Sequence, residues 1–486
     1  MNSYLKNVIR IFFFILPVII IFLQILKKDH HFTYTLDDPY IHIELAKNIY
    51  YGTYGINLSE MSAPSSSILW PFLLVPFGGT DFIQYIPLIL NSIFLVISGF
   101  LLLKIFKFNN LAKDLFFSML FLYAFNIYGL VFNGLEHSLQ ILLVILICYY
   151  LLNIQLITAY KKSLIIFFTA LVLLPLVRYE GLAISIPVLV YLYFNHFKKP
   201  ALISVTFLFL IIFIFSLFLY LNNLGYLPSS IIAKTINTNE SIIDNFKNNM
   251  KVYGWFFSLV FIVAMATWKN NKAIVLVLIS TTLLHFLLGK YGWFSRYEIY
   301  YLVFASILMI YQLYQRCPNI WYLPIFLITA FPSLSSSTNQ TAKASSNIYN
   351  QQFRMSEIAK TLNAPIAVND LGLVALRSDQ YILDLWGLGS IEALHYRKDP
   401  NDVTWIKKLM QKNNVHYVAV YDDWFPTRPD NWLKAGELKL KQRKITPAYD
   451  TVTFYATDKA HLSKLKQTLQ LYQAQNPSNN YEIIMK

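Results

Sequence analysis

The sequence predicts a polytopic α-helical membrane protein with a smaller soluble α/β domain at its C-terminal end. Three observations carry that expectation. Hydrophobic residues make up 56% of the chain and charged residues only 14%, too little charge to cover a water-facing surface. The apolar residues gather in blocks of about 16–23, the length a helix needs to cross ~30 Å of hydrocarbon. After Pro332 the blocks stop, and short strand-like and helix-like patterns alternate to Lys486.

Taken in order, the apolar blocks predict about eleven spans. They lie at 8–26, 84–106, 114–132, 138–157, 163–178, 181–194, 201–221, 252–268, 273–289, 299–315 and 319–332. Residues 1–332 therefore form a transmembrane catalytic domain. The first block follows Lys6 and Arg10 like a signal peptide. Lys27-Lys28-Asp29-His30-His31 stands where small residues would permit cleavage, so an uncleaved first span is expected. The run from Ile68 to Phe77 is too short to cross, and either re-enters or lies in the interface.

Lys104, Lys107, Lys113, Lys161, Lys162, Lys198, Lys199, Lys269 and Lys272 mark one set of hairpin ends. With Lys6 and Arg10 they place the N-terminus in the cytoplasm, and an odd number of spans puts the C-terminus outside an inner or cytoplasmic membrane. Outer loops nevertheless carry Lys27, Lys28, Lys234 and Arg296. The net charge of +14 thus needs no nucleic acid, and no basic patch with interleaved aromatics is present. Cys148 and Cys317 fall in or beside spans, which rules out a disulfide framework.

Two long outer loops, 27–67 and 222–251, are where a membrane enzyme would place its chemistry. Beyond the last span, 333–348 reads as a Ser/Thr/Asn/Ala linker and 349–486 as an extracytoplasmic α/β domain. In that domain the pattern predicts helices at Gln351–Leu362, Val403–Asn413 and Ala460–Gln473. Strands are expected at Ile366–Val368, Leu373–Leu376, Tyr381–Leu383, His416–Tyr421 and Thr451–Tyr455.

The first outer loop holds the most informative stretch, Asp37-Asp38-Pro39-Tyr40 running on to Gly52. Asp38 suits a helix N-cap, Pro39 the first turn and Gly52 the stop. Ile41, Leu45 and Ile49 share one face, so an amphipathic helix lying along the membrane surface is expected. Capping accounts for Asp38 alone. Asp37 is not needed for the cap, and two adjacent acids at a membrane edge are costly unless used. Asp37 is therefore the candidate general base, taking the proton of an attacking hydroxyl.

The stretch resembles the first loop of the GT-C class, multi-span glycosyltransferases that use polyprenyl-phosphate sugars. Asp37-Asp38-Pro39-Tyr40, Ala46-Lys47-Asn48, Gly52 with Gly55, and Ser62–Trp70 carry the likeness, with Pro39 a departure from the usual small residue. It extends through Asn133–Glu136, Arg178–Gly181, Arg296-Tyr297, Val368–Gly372 and Leu383–Leu388. The flavour is nearest the branch of mycobacterial wall arabinofuranosyltransferases, then protein O-mannosyltransferases. The resemblance implies a cell-envelope glycosyltransferase with a polyprenyl-phosphate donor and a glycan, lipid or protein acceptor. It also implies an Asp base, carried onto Asp37 with Asp38 as helper, and a phosphate contact at Lys234.

Other polar residues have two readings each. Glu136 and His137 are either a turn at the headgroups or part of the site. Arg178 and Glu180 interrupt apolar sequence, as a plain hairpin or as a broken-helix pocket where Arg178 meets a phosphate. Arg296-Tyr297 is either an interfacial anchor or a forked donor to a lipid phosphate. Asp370 and Asp422-Asp423-Trp424 could contact an acceptor sugar. No metal motif stands out, though Asp37 and Asp38 could share a divalent cation through oxygen ligands. The rival readings are a ligase using a lipid-diphosphate glycan, and a lipid or glycan transporter or flippase. A transporter predicts mid-span charges and inverted repeats, which the sequence does not display.

Overall fold

Long runs of Leu, Ile, Phe and Val satisfy their own backbone hydrogen bonds only as helices in an apolar medium. The computed structural model describes residues 3–108, 110–236, 241–269, 271–315, 327, 330–397 and 402–486. Its apolar blocks are helices at Ser3–Asp29, Ile86–Ile105, Leu111–Ala124, His137–Leu152, Lys161–Val177, Leu182–Phe194, Lys198–Leu221, Ile242–Thr267, Lys272–Leu288 and Ile299–Tyr314. Among the described residues, four stretches are long and apolar enough to cross a membrane: Tyr4–Asp29, Asp81–Ile105, Lys198–Leu221 and Ile242–Thr267. Several others are apolar but shorter. The span expected at 319–332 and Cys317 fall almost wholly outside the described residues, while Cys148 is buried.

Irregular backbone divides one of the expected spans and kinks the helix that contains another. Asn126 is left-handed (φ 55°), and splits 114–132 into Leu111–Ala124 and Ile127–Val131. The helix Ile242–Thr267 begins well before residue 252 and kinks at Tyr253, so much of the outer loop 222–251 is helical. That loop also contains helix Ser229–Ile236. The short run from Ile68 becomes helix Trp70–Leu74 and a 3-10 turn, with Trp70 fully buried.

Helix Asp38–Tyr50 differs from expectation. Instead of lying at the surface with its polar face outward, it is buried along most of its length, Glu44 and Asn48 included. Asn48 Nδ2 donates to the carbonyls of Gly55 (3.0 Å) and Ile56 (2.8 Å), which satisfies the amide inside the protein. The helix packs between Trp70–Leu74 and helix Gly372–Arg377 of the C-terminal domain. Its cap is Asp37 rather than Asp38, which lies in the first turn.

The expected linker is also a helix. Pro332–Ile348 runs through a π turn at Tyr349–Phe353 into Arg354–Leu362. Its small residues allow close packing on the first helix, where Ser346 Oγ (3.0 Å) and Asn350 Nδ2 (3.3 Å) donate to Asp29 Oδ1.

The C-terminal domain is a six-stranded mixed sheet of β1 (Ile366–Val368), β2 (Ile382–Asp384), β3 (Tyr417–Val420), β4 (Leu433–Leu440), β5 (Thr451–Ala456) and β6 (Tyr481–Met485), in the order β2-β1-β3-β5-β4-β6. β1 pairs in parallel with β2 and β3; the remaining pairings are antiparallel. Helices Arg354–Leu362 and Lys459–Gln475 contribute Ile358, Leu362, Leu465 and Leu469 to a core under the sheet. Four elements depart from the sequence reading, the unexpected helix Ile391–Tyr396 among them. Leu373–Leu376, read as a strand, is the helix Gly372–Arg377. β4 and β6 were not legible: in β4 a register shift between Lys434 and Gly436 breaks the period of two.

Candidate active site at the junction of the two parts

The first loop is tied to the C-terminal domain through Asp37. Its carboxylate accepts from the backbone N–H of Gly372 (2.6 Å, Oδ2) and Leu373 (2.9 Å, Oδ1), the first two amides of helix Gly372–Arg377. A side chain from far away in sequence thus supplies the cap which that helix lacks locally. Position 372 must be glycine, because a Cβ there would lie 2.2 Å from the Asp37 carbonyl oxygen. Burial and the nearby charge of Asp370 push the Asp37 carboxyl well above the usual carboxylate range, against the pull of the two amides.

Asp38, next along the chain, faces the other way. Its side chain is 41% exposed and its Oδ2 lies 2.5 Å from Arg296 Nη1. Arg296 is buried, and its Nη2 donates to the hydroxyl of Tyr297 at 3.2 Å. The Tyr297 ring has both guanidinium groups near it, with Arg296 Cζ 5.0 Å and Arg178 Cζ 5.5 Å from its centroid. Arg178, also buried, bonds Glu136 Oε1 through Nη1 (2.8 Å) and holds Glu180 with Nη2 (2.8 Å) and Nε (3.2 Å). Arg178 therefore has its fork occupied by two carboxylates, whereas the buried Nε of Arg296 has no hydrogen-bond partner among the described residues.

These groups line one cavity of about 390 Å³. The first loop contributes Asp37, Asp38 and His42, and the helical part contributes Glu136, Arg178, Glu180, Lys290, Arg296 and Tyr297. From the C-terminal domain come Asp370, Trp386 and Trp424. Asp370 Oδ2 accepts from Gln352 Nε2 and from the Tyr421 hydroxyl, each at 2.8 Å, and burial raises its carboxyl as well.

Most of the residues singled out in the sequence are thus brought together. Arg178 joins Glu136 and Glu180, from two separate turns, in one ion cluster. His137, fully buried in the first turn of helix His137–Leu152, is not among the described residues of the cavity lining. Lys234 falls in helix Ser229–Ile236 with its side chain outside the described set; its neighbours Ser230 and Ala233 do line the cavity. The cation that Asp37 and Asp38 could share meets carboxylates turned to different partners, backbone amides for one and Arg296 for the other. His42, Lys290, Gln352 and Trp386 were missed. Each is an ordinary polar or aromatic residue in its own segment, and only the packing of separate segments gives it a place.

Residues 346–455 match a protein family described as a domain of unknown function (DUF8728). A search of curated proteins found no match. Among solved structures, the chain is similar to the Archaeoglobus fulgidus oligosaccharyltransferase in its apo form, with 11% identity and a TM-score of 0.44. That likeness spans 95% of this chain and 78% of the other. The same enzyme in complex with Zn and sulfate gives 12% identity and a TM-score of 0.47, over 96% and 74%.

Proposed function

We propose that this chain is an inverting glycosyltransferase acting at the extracytoplasmic face of the membrane. Its donor is a sugar on a polyprenyl phosphate, and its acceptor a hydroxyl of a glycan, lipid or protein. The observation that carries this reading is the ion pair of Asp38 and Arg296 inside a cavity walled on one side by apolar helices and on the other by the soluble domain.

In the resting pair each charge neutralises the other. A phosphate entering from the membrane side competes for the Arg296 fork, which suits its oxygens better than a single carboxylate contact. Asp38 is then released to take the proton of the acceptor hydroxyl. The hydroxyl oxygen bonds to the anomeric carbon while the bond from that carbon to the phosphate oxygen breaks. The electron pair leaves with the polyprenyl phosphate, whose charge Arg296 offsets. Attack from the face opposite the leaving group inverts the anomeric configuration. The base thus moves from Asp37, favoured by sequence spacing, to Asp38. Asp37 becomes a positioning residue, since both of its oxygens are held by backbone amides. Glu136, Arg178 and Glu180 hold Tyr297, and through it Arg296.

The test is a transfer assay on the purified protein with synthetic short-chain prenyl-phosphate sugars. Asp38→Asn should lose on the order of 10²-fold or more in turnover, with an unchanged thermal unfolding midpoint. Full turnover in Asp38→Asn sinks the mechanism. Transfer from prenyl-diphosphate glycans alone would replace the donor class.

A further inference from the structure

A second cavity, of about 440 Å³, lies beside the first and shares Leu36, Trp293, Trp424, Thr446, Pro447 and Ala448 with it. It runs between the loop at Trp293 and the loop Lys444–Tyr449 of the C-terminal domain. Trp424 stands where the two cavities meet. One of its faces packs on Trp386, ring centroids 4.1 Å apart, and the Arg397 guanidinium sits 3.8 Å from the Trp386 ring. This stack of three planar groups fixes the Trp424 ring.

The opposite wall is held in an unusual backbone. Trp293 (φ 47°), Phe294 (φ 62°) and Ser295 (φ 59°) are three consecutive left-handed residues without a glycine among them. Such conformations are strained for residues with a Cβ and persist where the surroundings impose them. Asn126 Nδ2 pins the turn through the Phe294 carbonyl at 3.2 Å, and Trp293 is left 51% exposed. Two indoles are thus presented across an open groove that leads to Asp38 and Arg296.

We propose that this groove is the acceptor subsite, and that its ligand is a carbohydrate chain of more than one sugar. The inference rests on the transferase reading for the direction of transfer, not for binding. The face of an aromatic ring is electron-rich and attracts the C–H face of a sugar ring, while its hydroxyls point sideways. Lys444, whose ammonium donates to the Ala448 carbonyl, and Thr446 also line the groove. An extended peptide would look instead for a free strand edge, and among the described residues the groove is walled by loops and not by strands.

The experiment measures binding by calorimetry without donor, using linear gluco-, manno-, galacto- and arabino-oligosaccharides of one to six units. Affinity for one series should rise with length up to the trisaccharide or beyond. Trp424→Ala and Trp293→Ala should each weaken the longer members roughly three- to tenfold, with Trp424→Tyr retaining most of the affinity. Trp293 is exposed, so its variant tests the groove even where Trp424→Ala unfolds. No binding by any series, length-independent binding, or unchanged affinity in Trp293→Ala and Trp424→Ala overturns the proposal. Oligosaccharide binding without transfer from any lipid donor would leave the groove standing and remove the transferase reading.

Discussion

Asp37 and Asp38 are chemically identical neighbours, and their surroundings divide them. Asp37 is buried on two backbone amides, whereas Asp38 is half open and paired with Arg296. An Asn at 37 offers one carbonyl oxygen and turns its NH₂ toward the other amide. Asp37→Asn should therefore cost about 1–3 kcal/mol, read as a lower unfolding midpoint, and leave turnover reduced but measurable. Abolished turnover at an unchanged midpoint would return the base to Asp37. A pH dependence follows from the same corner of the molecule. The Asp37 and Asp370 carboxyls are both raised, chiefly by burial. The folded protein then binds more protons than the unfolded chain, whose Asp groups titrate near 3.9. Their stabilising contribution is complete below that value and is lost as pH rises through the raised folded values. Thermal unfolding midpoints should accordingly fall from acid toward neutral pH, and Asp370→Asn should flatten the slope. A slope unaffected by that substitution would show that the pair does not govern it.

At the scale of elements, two helices decide how the soluble domain sits. Asp38–Tyr50 is wedged between the bundle and the helix Gly372–Arg377, and the latter begins against the Asp37 backbone. Gly372→Ala drives a methyl group into that carbonyl oxygen. The expected cost is about 1–3 kcal/mol from forced displacement, read by thermal unfolding, with a weakened hold of the domain on the first loop seen as faster limited proteolysis. Neither change in Gly372→Ala would mean that the helix has room to retreat. The run from Pro332 to Leu362 carries the chain from bundle to domain as one helical path, so the domain hangs on a rod and not on a flexible tether.

For the whole molecule, the cavity sits at the junction of the apolar helices and the soluble sheet, where a lipid-borne group and a water-borne group can meet. The proposed reaction at the extracytoplasmic face places residues 349–486 outside the cytoplasm, the orientation expected from the Lys and Arg of the hairpin ends. With native cysteines removed, Ser463→Cys, exposed on helix Lys459–Gln475, should react with a membrane-impermeant maleimide in intact cells. Lys6→Cys should react only after lysis. Labelling in the reverse order overturns the topology and places the cavity on the cytoplasmic side.

By itself the sequence determined the helical class, the approximate positions of the apolar helices and the presence of an α/β region toward the C-terminal end. Each rests on composition and period within one segment, where length and hydrophobicity are local properties. It also marked Asp37, Asp38, Glu136, Arg178, Glu180 and Arg296, because a charge beside apolar sequence is conspicuous anywhere. Which of these face each other was decided only by the tertiary structure. Leu373–Leu376 is as good a strand as a helix until Asp37, from the other end of the chain, caps it. The helix after Asp37 has an amphipathic pattern suited to a membrane surface, yet it is buried, with helix Gly372–Arg377 packed on it and Ile41 in the core of the C-terminal domain. Arg178 and Arg296 read alike in sequence, but two carboxylates occupy the first and one the second. Hydrogen bonds and ion pairs act over about 3 Å of space whatever their separation along the chain, and that separation is what a linear reading lacks.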